Sequence, residues 1–447
     1  NDTEMNAIMA EYELPVAFPT KVLKASERIP MELPADEVAR RKDFRKAVTF
    51  TIDPKDAKDF DDALSVRKIK NGLYEIGVHI ADVSYYVAPD TALDKEAYNR
   101  ATSVYLVDRT VPMLPEKLSN GVCSLRPDEE KLCFSAVFKM NDNAEVLDQW
   151  FGRTVIKSNR RYTYEEAQAI IEGNAGDYKE EILLLNDLAQ KLRAERFKNG
   201  ALDFDHVEVK FDLDEKGKPL GVYFKESKEA NKLIEEFMLL ANKKVAEKVG
   251  KIKGNQKEKT FVYRIHDKPF DEKLEEFNKF IGRFGYGLKL GSRKALTSSI
   301  NGLMQKVKGR PEQNMIETLA VRTMAKAVYS TMNIGHYGLA FEYYTHFTSP
   351  IRRYPDVMVH RLLQRYLDGG RSANRDRYEE WCKHSSEMEQ LAANAERASI
   401  KYKQVEYMSD KIGQDFIGTI SGVTQWGFYV ELDDSKCEGL VSITELE

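Results

Sequence analysis

Between Thr51 and Leu64 the chain reads TIDPKDAKDFDDAL, which packs Asp53, Asp56, Asp59, Asp61 and Asp62 into ten residues beside only Lys55 and Lys58. No other stretch limits the possible folds as much. Like charges this close raise one another's pKa unless a cation lies among them. The chain must therefore either leave them in water as a solvated loop or hold something positive there. The flanks favour the second course. Upstream, AVTFTID alternates Val48, Phe50 and Ile52 with Thr49, Thr51 and Asp53, the period of a strand. Downstream, YEIGVHIADVSYYV (Tyr74–Val87) is another strand, and the apolar Phe60 and Ala63 interrupt the acids. The cluster thus sits in and around a connection between two strands.

Hard divalent cations take oxygen ligands, and Mg²⁺ binds through a few carboxylates while keeping waters and substrate phosphate. Asp53 closes one strand. Asp59 and Asp61 share a face if the chain is extended, and Asp62 faces away unless the backbone turns. A loop folding back from Asp53 would gather four carboxylates around one or two cations. An EF-hand is excluded, because its sixth and twelfth positions fall on Lys58 and Leu64 where Gly and Glu are needed. Four carboxylates and a metal point to phosphoryl chemistry without naming the substrate.

A second constellation narrows that. YTHFTSPIRRYPDVMVHR (Tyr344–Arg361) sets a turn at Thr348-Ser349-Pro350, then Arg352 and Arg353, then a helix opening near Pro355. Paired guanidiniums before a helix N-terminus suit phosphate oxygens. The structural alternative is an ion pair with Asp356 or another carboxylate.

At 447 residues the chain needs two or more domains. Residues 1–45, broken by Pro15, Pro19, Pro30 and Pro34, read as a leader wrapping a larger domain over 46–370. Helices dominate from about residue 164. A polar break at Asp368–Asp376 marks the start of a helical connector, 371–410. There Tyr378, Trp381, Ser385, Met388, Leu391, Ala395, Ala398, Tyr402 and Val405 form one packing stripe. Residues 411–447 turn β-branched, aromatic and glycine-bearing, like the opening strands of a small barrel. A five-stranded barrel needs about twice that length. With an opening residue that is not Met, this predicts a fragment of a longer protein.

No run approaches eighteen apolar residues, and NDTEMNAIMA lacks the basic and apolar regions of a signal peptide, so no membrane partner is expected. Cys123, Cys133, Cys382 and Cys437 form no CxxC pair, which suits a reducing cytoplasm. A net charge of −4 names no partner and leaves room for a basic channel. His266-Asp267 lacks the partner histidines of an HD-type metal pair, GYGLKLG (Gly285–Gly291) does not fit the dinucleotide fingerprint, and His79 and His360 read as structural or supporting.

TIDPKDAKDFDDA, VHIADVSYYV, VPMLPEKLSNGVCSL, YRIHDKP and HFTSPIRRYPD, in this order from about Ala47 to Leu367, resemble the ribonuclease II/ribonuclease R (RNB) family, the bacterial ribonuclease R side more closely. The tail resembles an OB fold of the ribosomal-protein-S-one type, a single-strand binder. The resemblance implies an α+β fold: a catalytic domain with a mixed sheet and surrounding helices, followed by a partial β-barrel. It also implies a processive, Mg²⁺-dependent 3′→5′ exoribonuclease releasing nucleoside 5′-monophosphates in RNA decay and quality control. Its catalytic and metal-binding acids map onto Asp53, Asp59, Asp61 and Asp62, with Asp61 and Asp62 central to catalysis. Its catalytic arginine maps onto Arg352, with Arg353 beside it facing RNA. Tyr105 and Phe204 map onto the aromatic pair that clamps the 3′ bases, and Tyr164 and Glu235 onto positions that read ribose. Trp426 and Tyr429 stand where the barrel's stacking aromatics are expected, while Ser442 replaces the usual His. The family's N-terminal cold-shock barrels and the end of the OB barrel are absent from this stretch. Single-stranded RNA is the expected partner, acted on by a monomer, with DNA no natural substrate. The rival readings are a catalytically dead RNA-binding module and a metal-dependent DNA nuclease or phosphodiesterase.

Overall fold

The structure, a computed structural model, describes residues 2–204, 208–252, 254 and 257–445. At its centre is a seven-stranded mixed sheet in the order β1-β8-β7-β4-β3-β2-β9. Its members are β1 (Lys42–Asp43), β2 (Thr49–Asp53), β3 (Asp62–Ile69), β4 (Leu73–Ala81), β7 (Glu130–Met140), β8 (Val146–Lys157) and β9 (Arg160–Thr163), while β5 (Val104–Tyr105) and β6 (Thr110–Val111) form a separate short ribbon. Pairing is antiparallel except at the two edges, where β1 runs parallel to β8 and β9 parallel to β2.

All five residues of β2 are buried. The polar residues of that interior partner one another. Ser65 Oγ and Ser135 Oγ lie 2.8 and 2.7 Å from the two ring nitrogens of His79, and Ser135 Oγ continues to Thr154 Oγ1 at 2.6 Å. The result is a hydroxyl–imidazole rung across β3, β4, β7 and β8. Burial pushes the His79 pKa down to about 3, so the ring stays neutral. Gly77 leaves room for it, since a Cβ there would stand 2.4 Å from both Ser65 Oγ and His79 Nε2. The structural role read for His79 holds, and so does that of His360, whose Nε2 lies 2.7 Å from the Phe347 carbonyl.

The segment read as a leader contributes β1 to the sheet, which therefore reaches back across residue 45. Two residues are too few for a periodic signal. The junction is held by Arg41, whose buried guanidinium meets Glu37 at 2.7 Å and Asp82 at 2.8 Å.

Three helices, Asp271–Gly282, Arg293–Val307 and Gln313–Thr323, enclose a second core around Ile281, Ile300, Leu303 and Ile316. It joins the main body through β12 (Tyr263–Ile265) and β13 (Val328–Ser330). His266 is structural here, accepting from the Gly338 N–H at 2.9 Å with its other nitrogen 2.9 Å from the Ala325 carbonyl. The β10 (Glu208–Leu213) and β11 (Pro219–Lys225) hairpin precedes the helix Glu229–Gly250.

The connector is one 35-residue helix, Arg375–Ser409, locked to the body by a two-pronged Arg264–Glu389 pair at 2.7 and 3.0 Å. Ser385 and Ala395 of the expected stripe are buried, but Val405 is 61% exposed. A 3.5-residue repeat drifts about 20° per heptad on a straight helix, and the buried face has moved to Ser399 and Lys403 by then. The last unit is an antiparallel three-stranded sheet, β14 (Gly418–Thr424), β15 (Gly427–Leu432) and β16 (Glu438–Ser442). Among the described residues, no helix is long and apolar enough to cross a membrane.

Candidate active site

β2 ends at Asp53 and β3 begins at Asp62, so the acids occupy a strand connection as the sequence predicts, but the strand they lead into is β3 and not Tyr74–Val87, which is β4 as far as Ala81 followed by the short helix Val83–Tyr86. The loop is braced from three sides. Phe60 buries its ring, its N–H donates to Ser124 Oγ at 3.0 Å, and its carbonyl accepts from the Leu125 N–H at 3.0 Å. Ser124 Oγ in turn donates to the Lys58 carbonyl at 2.7 Å. Arg161, opposite Thr51 in the β2–β9 register, donates to the carbonyls of Pro54 and Lys55. The Asp61 carbonyl accepts from the Ala81 N–H at 2.8 Å. Asp56 is exposed.

The decisive contact joins the two constellations. The Ile351 N–H, in the turn after Pro350, donates to Asp61 Oδ1 at 2.9 Å. The next residue, Arg352, is thereby set against the acids, with one guanidinium nitrogen 3.3 Å from Ser349 Oγ. Its positive charge acts on Asp59, Asp61 and Asp62 alike. Arg353 behaves differently. Its guanidinium pairs with Asp356 at 2.8 Å and its side chain is only 16% exposed, which is the ion pair named as the structural alternative. Asp356, in the first turn of the helix Tyr354–Leu367, also accepts from the Ser349 N–H at 2.7 Å and so ties Arg353 to the preceding turn.

Burial dominates the electrostatics. It pushes the Asp53 carboxyl up to about 8, helped by the charges of Asp62 and Asp59 and opposed by Arg161. Burial raises Asp62 to about 6 against the pull of Arg352, and it raises Asp61 and Asp59 too. Asp53 Oδ2 is buried and has no hydrogen-bond partner. The four carboxylates share one field, yet as placed no three His, Cys, Asp or Glu side chains among the described residues stand close enough to hold a metal ion. The single nest of four ligands drawn from the sequence is thus looser than expected. The donors nonetheless fit a hard divalent cation: every one is a carboxylate oxygen, all are desolvated, and one lacks any partner.

Two predicted contact residues stand in the same field. The Tyr105 N–H donates to Glu396 Oε1 at 3.1 Å, and its ring is 41% exposed. The strand that carries it follows Ser103, whose N–H donates to the Arg352 carbonyl at 3.0 Å. Tyr164 opens the helix Tyr164–Ile171, which Thr163 and Glu166 close with a reciprocal capping box. Burial raises its hydroxyl pKa, as do the charges of Asp62 and Asp53, and Glu235 acts on it too. Glu235 projects from the helix Glu229–Gly250, 3.7 Å from Arg196.

No hydrogen bond or ion pair among the described residues links three others to the acids. Phe204 packs on the second helical core, where the Leu202 N–H donates to the Gly338 carbonyl. Trp426 and Tyr429 lie in the β14–β16 unit, Trp426 68% exposed, and no hydrogen bond or ion pair among the described residues ties them to the acidic loop. Sequence reasoning missed Arg161, Ser124 and Glu396, whose partners lie far along the chain; no local pattern marks them.

The RNB domain profile matches residues 41–369. The chain belongs to the RNB family. It is 41% identical to Ribonuclease R of Aquifex aeolicus over 453 residues, covering 99% of this chain and 63% of that protein. It is 40% identical to Ribonuclease R 1 of Lactococcus lactis over 451 residues, covering 98% of this chain and 54% of that protein. The chain thus spans between half and two thirds of the length of these curated relatives. The solved structure of Mycoplasma genitalium RNase R in complex with ribose-methylated single-stranded RNA superposes with a TM-score of 0.90 at 28% identity, covering 99% of this chain and 70% of that one. The RNB fold expected from the five motifs is therefore present, and the RNB match begins at 41, ahead of the expected boundary.

Proposed function

We propose that this chain is the hydrolytic body of a Mg²⁺-dependent 3′→5′ exoribonuclease that shortens single-stranded RNA processively to nucleoside 5′-monophosphates, in cytoplasmic RNA decay and quality control. The observation that carries this reading is the Ile351 N–H to Asp61 hydrogen bond, which sets Arg352 in the field of the buried carboxylates of Asp59, Asp61 and Asp62. The relatives named Ribonuclease R support the choice of RNA as substrate.

Asp53, Asp59, Asp61 and Asp62 would hold Mg²⁺. When bound there, the ion supplies an activated water and a Lewis acid for the scissile phosphate. The remaining work falls to the protein. Arg352 balances charge growing on the phosphate with a planar, two-pronged donor. Tyr164 and Glu235 receive the ribose 2′-OH, the group that separates RNA from DNA. Tyr105 and Phe204 stack the terminal bases, which tolerates any sequence because every base has a π-face. Trp426 and Tyr429 offer a further stacking surface. Arg353 holds the turn through Asp356 and touches no substrate.

Incubation with 5′-labelled single-stranded RNA, the matching DNA, and either Mg²⁺ or EDTA tests the assignment. The reading requires a one-nucleotide ladder receding from the 3′ end for RNA with Mg²⁺ and an intact strand with EDTA. RNA binding without cleavage would mark a dead binding module, and equal cutting of DNA would mark a general phosphodiesterase.

A further inference from the structure

Between Phe277 and Pro311 the chain carries Lys279, Arg283, Lys289, Arg293, Lys294, Lys306, Lys308 and Arg310 and no acidic residue, in a chain whose net charge is −4. None of the eight has a carboxylate within ion-pair distance among the described residues, whereas Arg41, Arg196, Arg264 and Arg353 elsewhere are all paired. This positive field lies on the second helical core, away from the acidic loop, and surrounds a cavity of about 330 Å³. Cavities that hold small ligands start at about that size.

The lining has the parts of a nucleotide site. Lys289 and Lys306 stand at the cavity as unpaired point charges suited to phosphate. Tyr286 offers a ring fixed in place, its hydroxyl donating to Glu312 at 2.8 Å and accepting from Arg310 at 3.1 Å. Leu303 adds an apolar floor, and Gly302 has no atom within 4 Å of where a Cβ would stand, which leaves room for a flat ligand. The exposed Ser298 adds a hydroxyl to the lining. We propose that this cavity binds one phosphorylated nucleotide unit, base against Tyr286 and phosphate between Lys289 and Lys306. The unit arrives either as a free nucleoside 5′-monophosphate or as part of an RNA strand. Only the supply of such ligands rests on the exoribonuclease reading; the cavity's chemistry does not.

Photolabelling of the full chain with 8-azidoadenosine 5′-monophosphate tests the site without catalysis. The label should map to residues 285–306, be displaced by AMP and resist adenosine. The Lys289→Gln/Lys306→Gln pair should reduce labelling by about tenfold, since it removes both phosphate contacts. The pair Lys279→Gln/Arg283→Gln, on the same field but outside the cavity, should leave it within twofold. Fluorescence anisotropy of a labelled oligoribonucleotide on Asp61→Asn protein, with and without the cavity pair, then separates the sources. A loss of affinity assigns the unit to a strand, and no loss assigns it to free monophosphate. No label in 285–306, displacement by adenosine as readily as by AMP, or equal loss from the outer pair would overturn the proposal.

Discussion

The acidic loop Asp53–Asp62 and the basic stretch Phe277–Pro311 carry opposite charge, and the fold treats them oppositely. The acids are pulled into the protein, hydrogen-bonded to backbone from β4 and the Arg352 turn, and their pKa values are driven up. The bases stay exposed, with no carboxylate within ion-pair distance among the described residues. Burial, and not the count of charges, separates the two regions. A buried charge costs folding energy unless a partner answers it, whereas an exposed one costs little.

That contrast can be broken at four points. The largest effect belongs to the buried ion pair that supports the site. Arg353→Ala leaves Asp356 without its cation, and loss of one partner of a buried pair costs about 3–5 kcal/mol, to be read as a drop in chemical-denaturation stability. A change below about 1 kcal/mol would mean the turn does not depend on it. Next comes Arg352→Lys, which keeps the charge but loses the fork, and turnover should fall by about 10²-fold with stability little changed. Near-normal turnover would return Arg352 to a structural role.

The third effect is a pH slope. A carboxyl raised from 3.8 to about 8, like Asp53, binds a proton in the folded state that the unfolded state has lost. Its contribution to stability is full below 3.8 and is lost as pH rises towards 8, and Asp62 acts likewise up to about 6. In EDTA, the melting temperature should therefore fall as pH rises from 5 to 8, and Mg²⁺ should flatten the fall. The smallest effect is on the basic side. Lys294→Gln with Lys308→Gln should shift stability by less than about 0.5 kcal/mol and leave that pH slope unaltered.

Much of this was legible in the sequence where the signal is local. Strand alternation around Phe50 and Ile52 placed the acids in a strand connection, and the Thr348–Pro355 turn placed the arginines before a helix. Where contacts are distant, the sequence is silent. Nothing in RRY distinguishes the guanidinium that pairs with Asp356 from the one that meets the acids. Nothing near Lys42 shows that it joins a strand over 100 residues away, or near Phe204 that it packs on the second helical core. The acid-free run from 277 to 311 was available as a simple count of charges, but its meaning rests on a cavity formed by residues from 286 to 306.

The measurement that bears most directly on the central claim is single-stranded RNA cleavage and binding by Asp61→Asn. Asp61 is where the acids and the arginine turn meet, so removing its charge should disturb the metal while leaving remote base stacking in place. The expected result is hydrolysis in Mg²⁺ below a tenth of the unmodified rate, with RNA affinity held within a few-fold. Retention of more than a tenth of that rate would contradict the assignment of this cluster as the metal-binding, hydrolytic centre.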